Sequence, residues 1–219
     1  MAQGYVRSAD LPQVIPVFPL DSALLLPRGQ LPLNIFEPRY LNMVDDAIAG
    51  DRVIGMIQTL GGTRSRPKLA KVGCAGRVTS YAETSDGRYL ITLTGVIRFR
   101  VNDELPVQTP YRQVRAEYAR FEEDLRAPGG DGGFDRSRFL AALKTYLSYR
   151  SLDVDWDTVM AAPEEALVNS LSMALPFSSS EKQALLEAED LNARRDSLIA
   201  LLEIDAAEPG QSGGSAAMQ

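Results

Sequence analysis

The segment Leu31-Pro-Leu-Asn-Ile-Phe-Glu-Pro-Arg-Tyr40, continued by Leu41-Asn-Met-Val-Asp-Asp-Ala-Ile-Ala49, changes its periodicity halfway. Up to Phe36 it is a short apolar stretch of strand type. From Tyr40 on, Tyr40, Leu41, Met43, Val44, Ala47 and Ile48 recur at helical spacing, opposite Asn42, Asp45 and Asp46. Pro38 suits the first helical position, where a missing N–H costs nothing. Glu37 puts a carboxylate at the positive end of the helix dipole, and Gly50 stands where the helix should stop. Phe36, Glu37, Pro38, Arg39 and Tyr40 therefore read as a strand-to-helix junction, with Arg39 expected to hold it through a carboxylate or a main-chain carbonyl.

Working outward, short apolar runs broken by Pro and Gly predict strands at Val14–Phe18, Ala23–Leu26, Leu31–Phe36, Val53–Gln58, Val72–Glu83, Tyr89–Val101 and Tyr111–Phe121. Tyr89–Val101 is the clearest. Tyr89, Ile91, Leu93, Ile97, Phe99 and Val101 make its apolar face, Thr92, Thr94, Arg98 and Arg100 fall on the other, and Gly95 marks a bulge. Ser85-Asp86-Gly87 supplies the turn of a hairpin before it. Many short strands with one helix among them predict a partly closed barrel over residues 1–125.

After Phe121 the pattern changes. Residues 126–133 have the composition of a Gly-rich connector, and 134–205 read as a small helical bundle. Its segments are Phe134–Tyr149, a short turn at Trp156–Met160, Pro163–Met173, Gln183–Ala188 behind a Ser178/Glu181 capping box, and Asp190–Ile204. Residues 206–219 are Gly/Ser/Ala-rich and are expected to be disordered. The fold class is α+β.

Composition restricts the chemistry. Net charge is −6 and the pI about 4.8, so no global positive field gathers nucleic-acid phosphates. With no histidine, Ser-His-Asp, Cys-His and His-metal sites are excluded. Cys74 is the single cysteine, which excludes an intrachain disulfide and fits a cytoplasmic location. No apolar run has the length of a membrane span, and Met1–Asp10 lacks the form of a signal peptide. Gly61–Lys68 lacks the second glycine of a phosphate-binding loop. Arg64, Arg66, Lys68 and Lys71 read as a solvated basic turn.

A Ser-Lys dyad would need a desolvated lysine. Lys68 and Lys71 lie in the basic loop, and Lys144 and Lys182 fall on helices, where they are expected to stay charged at the surface. Asp153, Asp155 and Asp157 read as helix N-terminal acids rather than a calcium loop. No catalytic, cofactor or metal site is expected.

Ile15–Leu20, Leu25–Gly29 and Leu31–Tyr40, followed in order by Ile54–Ile57, Val72–Arg77, Gly95–Arg100 and Glu181–Glu187, closely resemble the N-terminal domain of the Lon protease family. The resemblance runs from about Leu11 to Leu202. It implies a PUA-like β pseudobarrel followed by a helical subdomain, serving to recognise substrates and to help assemble the oligomer. It also implies a stand-alone domain, since the chain ends before Lon's ATPase P-loop or peptidase dyad. The expected function is a non-enzymatic polypeptide-binding module, an adaptor or chaperone-like factor in protein quality control. Its partners would be unfolded or extended polypeptides and a separate ATP-dependent protease. The candidate partner surface is Leu26, Pro27, Arg98 and Arg100. The alternatives are an RNA-binding PUA-like protein, using Arg98, Arg100, Arg112 and Arg115 as a positive face, or a hydrolase with an unrecognised site.

Overall fold

The computed structural model describes residues 5–63, 66–127 and 133–207. It is a mixed α+β chain that divides into two compact units, one of Met1–Gly129 with Asn169–Glu187, the other of Gly130–Val168 with Ala188–Gln219.

The first unit carries a six-stranded sheet of β1 (Val14–Pro19), β2 (Gln30–Ile35), β3 (Val53–Thr63), β4 (Arg66–Glu83), β5 (Tyr89–Glu104) and β6 (Arg112–Glu117), with α1 (Pro38–Ala49) between β2 and β3. The order is β2-β5-β4-β3-β1-β6, and β5 also pairs with β6. Tyr89–Thr94 of β5 pairs with β2, Arg100–Glu104 pairs with β6, and β4 runs along its other edge as far as Arg100. The pairings β5–β4–β3–β1–β6 thus return to β5. Only β1 and β3 are parallel.

The expected bulge in β5 is present, the β4 ladder stepping from Ala75↔Ile97 to Gly76↔Gly95. A Cβ on Gly95 would run into the Leu26 carbonyl. The reason is a segment docked on it: Arg28 N–H donates to the Gly95 carbonyl and Gly95 N–H to the Gly29 carbonyl, each at 2.8 Å. Ala23–Leu26 is therefore a loop and not the expected strand. Its three leucines are buried, and Arg28 turns it with a φ of 65°. Gly55 and Gly73 make room on neighbouring strands for the fully buried ring of Phe99.

The helix of the junction starts where expected, but β2 ends at Ile35 and leaves Phe36 outside the strand. Pro38 opens α1 after Glu37, and Tyr40, Met43, Val44 and Ala47 are its buried face. Gly50 closes it by donating to Asp46 and Ala47, but the left-handed residue that redirects the chain is Arg52, with a φ of 59°. The last expected strand is shorter than predicted. β6 ends at Glu117, and Ala119–Leu125 is a 3-10 turn with Phe121, Asp124 and Leu125 buried.

The second unit holds α2 (Arg136–Arg150), α3 (Trp156–Ala161), the first part of α4 (Glu164–Ala174) and α6 (Leu191–Ala207). Asp155 caps α3 by accepting from the Asp157 and Thr158 amides, which accounts for one acid of the Asp153–Asp157 cluster. Arg136 closes the other end of α3 on the carbonyls of Val159, Met160 and Ala162 at 2.7–2.9 Å.

Helices expected within one bundle over 134–205 are thus divided. The rest of α4 and α5 (Ser179–Glu187) belong with the sheet. Asn169 donates to the Pro27 carbonyl and Gln183 to that of Val72. The capping box of α5 is present, Ser178 N–H on Glu181 at 2.7 Å and Glu181 N–H on Ser178 Oγ at 3.3 Å. Most of the expected connector and tail, residues 128–132 and 208–219, lies outside the described residues, as does Arg64. Among those described, no helix is long and apolar enough to cross a membrane.

Candidate functional site

The junction residues line one wall of a cleft of about 570 Å³ in the sheet unit, with Glu37, Arg39 and Tyr40 from the junction and Tyr111 and Arg112 at the start of β6. Pro19, Pro67 and Pro110 add rigid apolar edges. Both polar and apolar groups therefore face the same space.

Each wall is held differently. Glu37 does not cap α1 with its side chain; its Oε2 accepts from Arg39 Nε and Nη2 at 3.0 and 2.8 Å. Both partners are about half exposed, 47% and 45%, so the pair is solvent-screened and contributes little to stability. Arg39 is also laid over the Tyr40 ring, 4.5 Å from its centroid, and that ring packs on Phe18 at 4.2 Å. Burial pushes the Tyr40 phenol above its ordinary pKa. Phe36 lies beyond the end of β2 and is 62% exposed, with the Arg88 guanidinium 5.9 Å from its ring.

On the other wall, Tyr111 donates to Asp46 at 2.6 Å, and burial followed by that hydrogen bond pushes its pKa up to about 12. Arg112 grips Glu104 through two 2.7 Å bonds and donates to the Pro67 carbonyl at 2.6 Å. Thr59 donates to Asp21 at the edge of the cleft.

The candidate partner surface does not assemble. Leu26 and Pro27 are buried, and Arg98 is 4% exposed. Asp124 accepts from Arg98 Nε and Nη2 at 2.8 Å each and from its main-chain N–H at 3.0 Å, while Arg98 Nη1 donates to the Leu186 carbonyl. The face of β5 that looked solvent-facing is covered by the 3-10 turn and α5. Arg100 remains exposed. The positive face imagined for RNA loses Arg98 to Asp124 and has Arg112 neutralised by Glu104.

Lys182 is the other departure. It is 6% exposed rather than solvated, burial lowers its pKa, and its Nζ donates to the carbonyls of Ser22 and Met173 at 2.9 and 3.1 Å. Those bonds are to main-chain oxygens, whereas the Ser22 hydroxyl is shared with Ser179 at 3.1 Å. Cys74 is buried, as expected. Among the described residues no cluster of three acidic or cysteine side chains is placed to hold a metal. Sequence reading missed Tyr111 and Arg112 as walls of the junction cleft. The Pro110-Tyr111-Arg112 break before β6 was visible, but nothing local pairs it with α1.

Comparison with known proteins gives one consistent context. A family model described as the ATP-dependent protease La (LON) substrate-binding domain matches residues 14–203. Lon protease 2 of Myxococcus xanthus is 26% identical over 206 residues, covering 91% of this chain and 24% of that protein. Lon protease of Anaeromyxobacter dehalogenans is 29% identical over 115 residues, covering 51% and 14%. The chain therefore spans about a quarter or less of the length of these relatives. A Lon N-terminal domain protein from Xanthomonas campestris superimposes with a TM-score of 0.61 at 23% identity, over 85% of this chain and 97% of that one. The N-terminal domain of a Mycobacterium avium complex Lon protease gives 0.60 at 16%, over 88% and 98%.

Proposed function

Because the chain belongs to the LON substrate-binding domain family, which matches it over residues 14–203, we propose that it is a non-enzymatic module that binds unfolded or extended polypeptide. The observation that carries this reading is the junction cleft. It offers a tyrosine ring, proline edges and charges of both signs in an open depression, a mixture suited to a segment of chain rather than to one small ligand. The ring of strand pairings around β5 supports the PUA-like pseudobarrel that the family resemblance implies. The exposed Arg39–Glu37 pair is a rim that a bound chain can reach without unfolding anything.

In this role the protein delivers or holds polypeptides in protein quality control, in the cytoplasm. Its matched relatives are Lon proteases, which makes a separate ATP-dependent protease its natural partner. The test is binding of a fluorescently labelled, chemically denatured protein to the purified chain, followed by anisotropy. Binding that weakens in Arg39→Glu supports the reading. No binding of denatured protein, or turnover of it by the purified chain, overturns it.

A further inference from the structure

β4 and β5 run together from Glu83↔Tyr89 to Val72↔Arg100 and then part. Beyond that point β5 continues to Glu104 paired with β6, while β4 runs back to Arg66 paired with β3. The facing edges of Pro67–Lys71 and Val101–Glu104 have no partner in each other. They border a depression of about 360 Å³ whose lining includes Lys68, Leu69, Lys71, Val101 and Glu104. It adjoins the junction cleft, with Pro67 and Arg112 common to both.

We propose that this fork takes an extended polypeptide segment bearing acidic side chains, added as a strand on the open edge of β4 between Lys68 and Lys71. The inference rests on the polypeptide-binding reading and adds to it a second point of engagement and a side-chain class. An unpaired strand edge carries main-chain donors and acceptors that another extended chain can satisfy. Pro67 has no N–H to offer, so pairing starts at Lys68.

Charge selects the occupant. Lys68 and Lys71 are exposed and, among the described residues, belong to no ion pair, and exposed Arg100 stands at the root of the fork. Glu104 is neutralised by the two bonds from Arg112, and exposed Asp103 stands opposite Arg115 in the β5–β6 ladder. The fork is therefore positive in a chain of net charge −6. Acidic side chains of an added strand meet the ammonium groups of Lys68 and Lys71 at the two ends of this edge, and apolar ones meet Leu69 and Val101 in the lining.

The probe is a labelled peptide alternating valine and glutamate, with a valine–lysine peptide as its control, titrated into the full chain at low salt. The acidic peptide binds, slows amide exchange within Lys68–Lys71, and is weakened about tenfold by Lys68→Glu/Lys71→Glu. Both substitutions are at exposed positions and leave the fold in place. Unchanged exchange at Lys68–Lys71 under saturating peptide, or unchanged affinity in the double variant, overturns the proposal. If the chain holds denatured protein but not the acidic peptide, the fork is wrong and the junction cleft stands. If it holds neither, both readings fall, and the lysines act instead to repel strand pairing at this edge.

Discussion

Replacing Asp124 with alanine tests how the sheet unit is held together. The carboxylate accepts from Arg98 Nε and Nη2 at 2.8 Å and from the Arg98 main-chain N–H at 3.0 Å. The two side chains are 4% and 9% exposed, and the Phe121 ring covers the guanidinium at 4.7 Å. Removing the acid leaves a buried cation without its counter-charge, although Nη1 still donates to the Leu186 carbonyl at 3.1 Å, a situation that costs about 3–5 kcal/mol. The orphaned main-chain N–H adds to this without being simply additive. At about 2–4 °C per kcal/mol for a chain of this size, Asp124→Ala lowers the Tm by about 10 °C. Urea unfolding followed by circular dichroism measures the same loss. Arg98→Met/Asp124→Leu recovers most of it, because the cost comes from the unpaired charge and not from the absence of the pair. A single variant within about 1 kcal/mol of the parent would refute the reasoning, since the guanidinium would then be reaching water.

Gly95→Ala forces a Cβ against the Leu26 carbonyl and loosens a docking held by two main-chain bonds, so it lowers stability by about 3 kcal/mol in urea unfolding. Arg39→Ala removes a half-exposed ion pair and a ring contact, so it costs about 1 kcal/mol or less in the same assay, yet it weakens binding of denatured protein. Tyr111→Phe removes the bond to Asp46 and destabilises by about 1–2 kcal/mol at neutral pH. The Tyr111 pKa is raised to about 12 in the folded chain from 10.0, so its contribution is complete below pH 10 and is lost as pH rises toward 12. The gap in urea midpoint between parent and Tyr111→Phe therefore narrows over that range; a gap that stays constant would show that the phenol does not titrate as its burial requires.

Elements with a strong local signature were legible: the β2–α1 junction, the hairpin turn at Gly87, the bulge at Gly95 and the Ser178/Glu181 box all follow from residues within a few positions of one another. Departures arise where a second layer covers what local pattern leaves open. Arg98 alternates with Ile97 and Phe99 and so reads as solvent-facing, but alternation only separates the two faces of a strand. It does not say whether both are covered. Here the outer face lies beneath Asp124 and α5, and Arg98 is buried in company with its counter-charge. The Leu24–Leu26 run has the same ambiguity, because three consecutive buried leucines fit a strand or a loop wrapped by its surroundings.

The grouping of Asn169–Glu187 with the sheet has a deeper reason. Asn169 binds the Pro27 carbonyl, Lys182 those of Ser22 and Met173, Gln183 that of Val72, and Arg98 that of Leu186. In every case a side chain meets a main-chain oxygen. Every residue carries such an oxygen, so the acceptor leaves no trace in the residue types, and no complementary partner can be sought along the chain. The same bonds explain why a lysine on an amphipathic helix is not at the surface: two carbonyls, one of them in the last turn of α4, replace part of the water its ammonium gives up. A polar side chain that ties a helix to a sheet through main-chain acceptors is as structural as a buried leucine, although its composition advertises a surface. Among the described residues, the exposed lysines of the β4 edge, Lys68 and Lys71, make no such bonds. That contrast, more than their charge, separates groups available to a partner from groups already used by the fold.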